Sequence, residues 1–94
     1  MTKAVVMALI AAHSLVEEGM RAMVASMCPM DLSEADLIAG IRAITFDHTP
    51  SSAEDDDEHW VAQSPFDGKY YHFAASPAAA WPTRPEITDL PPKF

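Results

Sequence analysis

From Thr2 to Cys28 the apolar residues recur at helical spacing. Val5, Leu9, Ala12, Val16, Met23 and Met27 fall on one stripe, and Val6, His13, Met20 and Met27 widen it. Glu17, Glu18 and Arg21 mark the wetter side. The pattern predicts one long helix over 2–28. Gly19 sits inside it at a cost of about 1 kcal/mol relative to alanine, which favours a bend or a close contact there. Pro29 ends the helix, because it disfavours helical geometry at the residue before it and has no N–H to donate. A helix start follows. Ser33 with Asp36 approximates a capping box, Asp31 with Glu34 is the competing register, and the acidic residues meet the positive end of the helix dipole. Leu37, Ile38, Ile41 and Ile44 then carry helical spacing to about Phe46, predicting a second helix over 33–46, with Gly40 permitting close packing. The short connection makes an antiparallel helical hairpin the natural arrangement.

After residue 46 the pattern changes. Residues 47–58 read as a loop that ends in five consecutive carboxylates, Glu54-Asp55-Asp56-Asp57-Glu58. His59 to Ser64 and Lys69 to Ala74 are rich in β-formers, and Pro65-Phe66-Asp67-Gly68 between them is a turn. This predicts a β-hairpin over 59–75. If Ser64 pairs with Lys69, His59 and His72 become diagonal neighbours. Trp60, Tyr71 and Phe73 form the face that packs on the helices, since an isolated hairpin is marginal in water. In 76–94, Pro77, Pro82, Pro85, Pro91 and Pro92 exclude helix or central strand from most of the stretch. Ala78-Ala79-Ala80 has room for one helical turn, and Trp81, Ile87, Leu90 and Phe94 are anchors for an extended tail. The expected fold is a single α+β domain: a long first helix and a shorter second helix, packed on a C-terminal β-hairpin, with a Pro-rich extended tail.

Size and charge narrow the function. A 94-residue chain that is 49% hydrophobic is long enough for one modest core. With 14 acidic residues against 6 basic ones the net charge is −8, and no two basic residues adjoin in sequence. Binding nucleic acid through phosphate neutralisation needs clustered Lys and Arg, so this balance argues against it and against anionic membranes. Two helices followed by a hairpin faintly resemble a winged-helix layout. A recognition face is missing, with Arg42 alone on the second helix and Lys69 near the hairpin tip. Ala4 to Ala12 after Lys3 imitates a secretory signal, but at about 12 residues it is short of the usual 15–30 and reads as the first turns of an amphipathic helix. Cys28 stands alone, so no disulfide forms within the chain, and a reducing cytoplasm is the simplest setting.

The chemistry-bearing residues form no familiar constellation. His48, Asp55, Asp56, Asp57, His59 and His72 are ligand-capable, but their spacing matches neither a zinc pattern nor a calcium loop. His59 and His72 remain weak metal candidates, and no cofactor is implied. Cys28, Ser14 and Ser64 are not placed beside a base and an orienting acid by sequence. The glycines at 19, 40 and 68 form no phosphate loop. His13 lies on the apolar stripe as a packed histidine.

Five like charges in a row cannot be buried unpaired, so they must be solvated, ion-bound or pressed against a basic partner. The expected function is therefore a small non-enzymatic interaction protein. It would inhibit a larger protein by covering a basic, nucleic-acid-binding surface, with carboxylates standing in for phosphates. Small, acidic, cysteine-poor proteins are common among phage-encoded inhibitors of host defence, anti-CRISPR proteins included. That likeness is one of size and composition, and no motif carries it. The expected contact residues are Glu54, Asp55, Asp56, Asp57 and Glu58, with Asp47 and Asp67 in support and Trp60 or Tyr70 as an aromatic anchor. The alternative is a regulatory or accessory domain that dimerises through the first helix, by Leu9, Val16, Met20, Met23 and Met27. The third class is a metal-dependent module built on His59, His72 and nearby aspartates.

Overall fold

The computed structural model describes residues 1–76 and 81–94, so the turn expected at Ala78–Ala80 lies outside the described residues. Three helices and a four-stranded antiparallel sheet make a mixed α+β fold. Helix α1 runs Lys3–His13, α2 Arg21–Met27 and α3 Glu34–Ala43; the strands are β1 Asp47–Thr49, β2 Glu58–Gln63, β3 Tyr70–Ala75 and β4 Glu86–Thr88, in the sheet order β1-β2-β3-β4.

The single helix expected over 2–28 is broken. Thr2 caps α1 by accepting the Val5 N–H at 3.3 Å, and the helix ends at Ser14, whose backbone is extended. The Ser14 hydroxyl accepts the Val16 N–H at 3.2 Å. A side chain that offers the backbone this local alternative competes with helix propagation. One turn of 3₁₀ helix, Glu18–Met20, then leads into α2. The break falls before Gly19, so the interruption comes from Ser14 rather than from the glycine. Its consequence is tertiary. Val6 and Ile10 of α1 and Met23, Val24 and Met27 of α2 reach one core from two directions, and α1 packs against both α2 and α3.

Ser33 is the cap of α3, accepting the Asp36 N–H at 3.3 Å, which decides between the two registers the sequence offered. This helix stops at Ala43, short of Phe46, as Ile44 takes an extended backbone. Ile44, Thr45 and Phe46 are β-branched or aromatic, types that lose χ1 freedom in a helix and fit a pleated surface. They lead straight into β1. Gly40 faces the hairpin turn; a Cβ there would clash with the Phe66 ring, so the glycine admits that turn against α3.

The hairpin forms in the expected register. Trp60 faces Phe73 and Ala62 faces Tyr71 across β2 and β3, and the Ser64 N–H donates to the Lys69 carbonyl at 2.8 Å. Trp60, Ala62, Tyr71 and Phe73 are buried and join the helical residues in a single core. At the turn Asp67 accepts the Lys69 N–H at 2.8 Å and the Tyr71 hydroxyl at 2.7 Å. Partial burial pushes the Asp67 carboxyl up. The Tyr71 and Lys69 bonds outweigh it and leave the group below its usual range, while burial and the Asp67 carboxylate push the Tyr71 phenol up to about 12.

Two further strands were not expected. β1 lies inside the stretch read as loop, pairing Asp47 with Val61, His48 with Trp60 and Thr49 with His59. Glu58 likewise belongs to β2, so the true loop is 50–57. β4 forms in the proline-free stretch after Pro85, pairing Glu86 with His72, Ile87 with Tyr71 and Thr88 with Tyr70. It is an edge strand, the position that proline neighbours allow. Of the tail anchors, Trp81 packs on Trp60 and Phe94 on His59, while Ile87 and Leu90 are exposed.

Candidate functional site

The acidic run sits on the connection between β1 and β2, and short polar contacts order it. The Ser52 N–H donates to the Asp55 carbonyl at 2.7 Å and the Asp55 N–H returns to the Ser52 hydroxyl at 3.1 Å; the Asp57 N–H donates to Asp55 Oδ1 at 3.0 Å. Asp55 Oδ2 also accepts from His59 Nε2 at 2.7 Å, and this bond first, then the Asp57 N–H, holds the Asp55 carboxyl below its usual range. Glu54, Asp56 and Asp57 are exposed. Glu58 turns inward and pairs with His48, 3.3 Å from Oε1 to Nε2.

The sheet's outer face carries the other half of this arrangement. His59 Nδ1 lies 2.8 Å from His72 Nε2, and His72 Nδ1 lies 3.8 Å from Glu86. With Asp55 ionised, one assignment satisfies the chain of contacts: His59 Nε2–H donates to Asp55, and His72 Nε2–H donates to the free lone pair on His59 Nδ1. Desolvation holds the His72 imidazole below its ordinary value, the neighbouring His59 adds to this, and Glu86 opposes it. The Phe94 ring covers the pair, with centroids 4.1 Å from His59 and 4.2 Å from His72. The diagonal relation expected of the two histidines is present, and they bond each other. Both His59 nitrogens and His72 Nε2 are engaged in these contacts, and no group of three or more His, Cys, Asp or Glu is arranged to hold a metal among the described residues.

The remaining candidates scatter. Asp67 stands at the far end of β2 from the acidic loop, and six strand residues put about 20 Å between them, so it does not extend that patch. Asp47 is exposed at the end of β1 away from the loop. Trp60 is only 4% exposed, too deeply set to serve as a projecting anchor, while half-buried Tyr70 lines a groove of about 670 Å³ on the outer face beside Pro92 and Phe94. The methionine stripe is consumed inside the fold, with Met20, Met23 and Met27 buried and Leu9 and Val16 half-buried against the same core. That removes most of the dimer surface drawn on the first helix. Cys28 donates to the Val24 carbonyl, and burial pushes its thiol up to about 11, so it is a poor nucleophile at neutral pH. Ser64 is buried and accepts the Phe66 N–H. Arg42 contacts His13 at 3.1 Å. Among the described residues every close side-chain contact between a basic group and a carboxylate uses a histidine, and no arginine or lysine lies within salt-bridge distance of a carboxylate.

Sequence reasoning missed Glu17, Phe46, His48 and Trp81, which converge around Trp60 on the inner side of β1. For Phe46 and His48 the signal in the sequence was an i, i+2 spacing like that of Glu58 and Trp60, too short to stand out; Glu17 and Trp81 reach the site only through the tertiary fold. No helix among the described residues is long and apolar enough to cross a membrane. No protein-family model, no curated protein and no solved structure matches this chain.

Proposed function

We propose that this protein is a non-enzymatic interaction protein whose acidic β1–β2 loop engages a basic, nucleic-acid-binding surface on a larger protein and blocks it. The observation that carries this reading is the loop itself. Glu54, Asp56 and Asp57 are exposed, no Lys or Arg of the described chain pairs with them, and Ser52 and Asp55 order the backbone that displays them. An ordered row of uncompensated carboxylates loses little freedom on docking and steers a cationic surface toward it. The buried methionines and the high thiol value of Cys28 direct attention away from the helix-mediated dimer and from nucleophilic chemistry.

The test is a variant with Glu54→Gln, Asp56→Asn and Asp57→Asn, which leaves the Asp55–His59 bond in place. Partners are captured from host cells at two salt concentrations, and association rates are then measured on the purified pair. The expected result is a partner that loses its nucleic acid on binding, a lower association rate for the variant at low salt, and a flatter dependence on ionic strength. Association that is identical in rate and salt dependence refutes the loop as the contact site.

A further inference from the structure

A second feature near this loop has the chemistry of a cation receptor. On the inner side of β1 and β2 lies a cavity of about 260 Å³, lined by Glu17, Met20, Phe46, His48, Glu58, Trp60 and Trp81. The strand period builds most of it. His48 and Trp60 are cross-strand partners, and Phe46 and Glu58 each lie two residues away on the same side. The helix break brings up Glu17. Trp81 supplies another wall, its ring 5.2 Å from Trp60 at 60°. It rests on Gly19, where a Cβ would fall 2.0 Å from the indole nitrogen, so glycine is required for that seat. The lining thus combines π faces with two carboxylates and contains no lysine or arginine.

The protein already uses this wall on one of its own rings. The His48 imidazole stacks parallel on Trp60, 5.0 Å between centroids at 8°, while its Nε2 reaches Glu58. The wall thus already holds one nitrogen ring between an indole and a carboxylate. His48 covers one flat face of Trp60 and Trp81 stands at 60° to it, so no open parallel face is offered to a planar guanidinium, and a compact head suits the cavity better. Desolvated aromatic faces attract organic cations, quaternary ammonium above all.

We propose that this pocket binds an alkylammonium head group, the tip of a lysine or N-methylated lysine on the partner protein. The identification of the guest's source rests on the function proposed above; the pocket chemistry does not. Glu58 joins the two features, since it closes the acidic run and points into the cavity. The loop attracts a basic surface, and the pocket takes one of its side chains.

Trp60 and Trp81 are the only tryptophans in the chain, so tryptophan emission, excited selectively beyond the tyrosine absorption, reads this site alone. The probe is tetramethylammonium, with tert-butanol as an uncharged control of similar shape. The expected result is a saturable emission change with the cation and none with the alcohol. Trimethylated and unmethylated lysine amides then compete with the probe and rank the two sources. Glu58→Gln and Glu17→Gln, and separately the surface change Trp81→Leu, are each expected to weaken binding roughly tenfold. Equal responses to cation and alcohol overturn the proposal, as does affinity unchanged in all three variants. The loop variant of the preceding section retains Glu17 and Glu58 and is expected to keep full affinity for the probe. Loss of partner association with probe binding intact, or the reverse, therefore shows which of the two readings has failed.

Discussion

Acidification should destabilise this protein in two separate steps, and the first belongs to His72. The His72 imidazole is enclosed by His59, Phe94 and Glu86, with its side chain 12% exposed, and its native-state value lies below the ordinary 6.5. The unfolded chain therefore takes up the proton first as pH falls. Stability is full above about 6.5, declines below it, and levels off once the native imidazole also titrates. A proton bound by the unfolded state alone gives a slope of at most about 1.4 kcal/mol per pH unit. Asp55 contributes lower down. Its native carboxyl lies below the ordinary 3.8, so its contribution is present above that value and disappears as pH falls through the native one. The discriminating variant is His72→Gln, whose amide still donates to His59 Nδ1 but does not titrate. Urea melts between pH 8 and 5 are expected to show declining stability in the native sequence and a shallower decline in the variant. Identical pH profiles for the two refute the assignment of His72 as the enclosed neutral member of the pair.

Two further outcomes test the fold. Phe73 is fully buried and meets Phe46 edge to face at 6.0 Å, so Phe73→Ala should cost about 3–5 kcal/mol. For a domain of this size that lowers the melting temperature by well over 10 °C, at roughly 4–8 °C per kcal/mol, and a smaller shift in a thermal scan means that the sheet and helices do not share one core. At the hairpin turn, ultraviolet titration should show Tyr71 ionising only near pH 12, and Asp67→Asn should bring that value down because the charged acceptor is gone. An unaltered titration argues against the Tyr71–Asp67 bond.

Much of the local structure was legible from residue order. Ser33 announced α3, Pro29 marked the end of α2, and Pro65 to Gly68 set a turn whose register places His59 diagonal to His72. Each is a short-range signal, in which a side chain satisfies or denies a backbone group a few residues away. The exposure of Glu54, Asp56 and Asp57 was equally plain, since adjacent carboxylates cannot share a dry site.

What residue order did not decide was where each apolar or polar piece found its partner. β1 and β4 each have three residues, and Asp47-His48-Thr49 and Glu86-Ile87-Thr88 are too short for any period to show; they are strands because β2 and β3 offered unpaired edges. The methionine stripe suited a dimer seam or an internal core equally well, and only the break at Ser14 turned Met23 and Met27 inward. Burial of those side chains, and the meeting of Glu17, Phe46, His48, Trp60 and Trp81 around one cavity, depend on contacts between residues far apart in the chain. Hydrophobic burial is non-directional, so the sequence specifies which side chains leave water while the packed structure alone selects their neighbours.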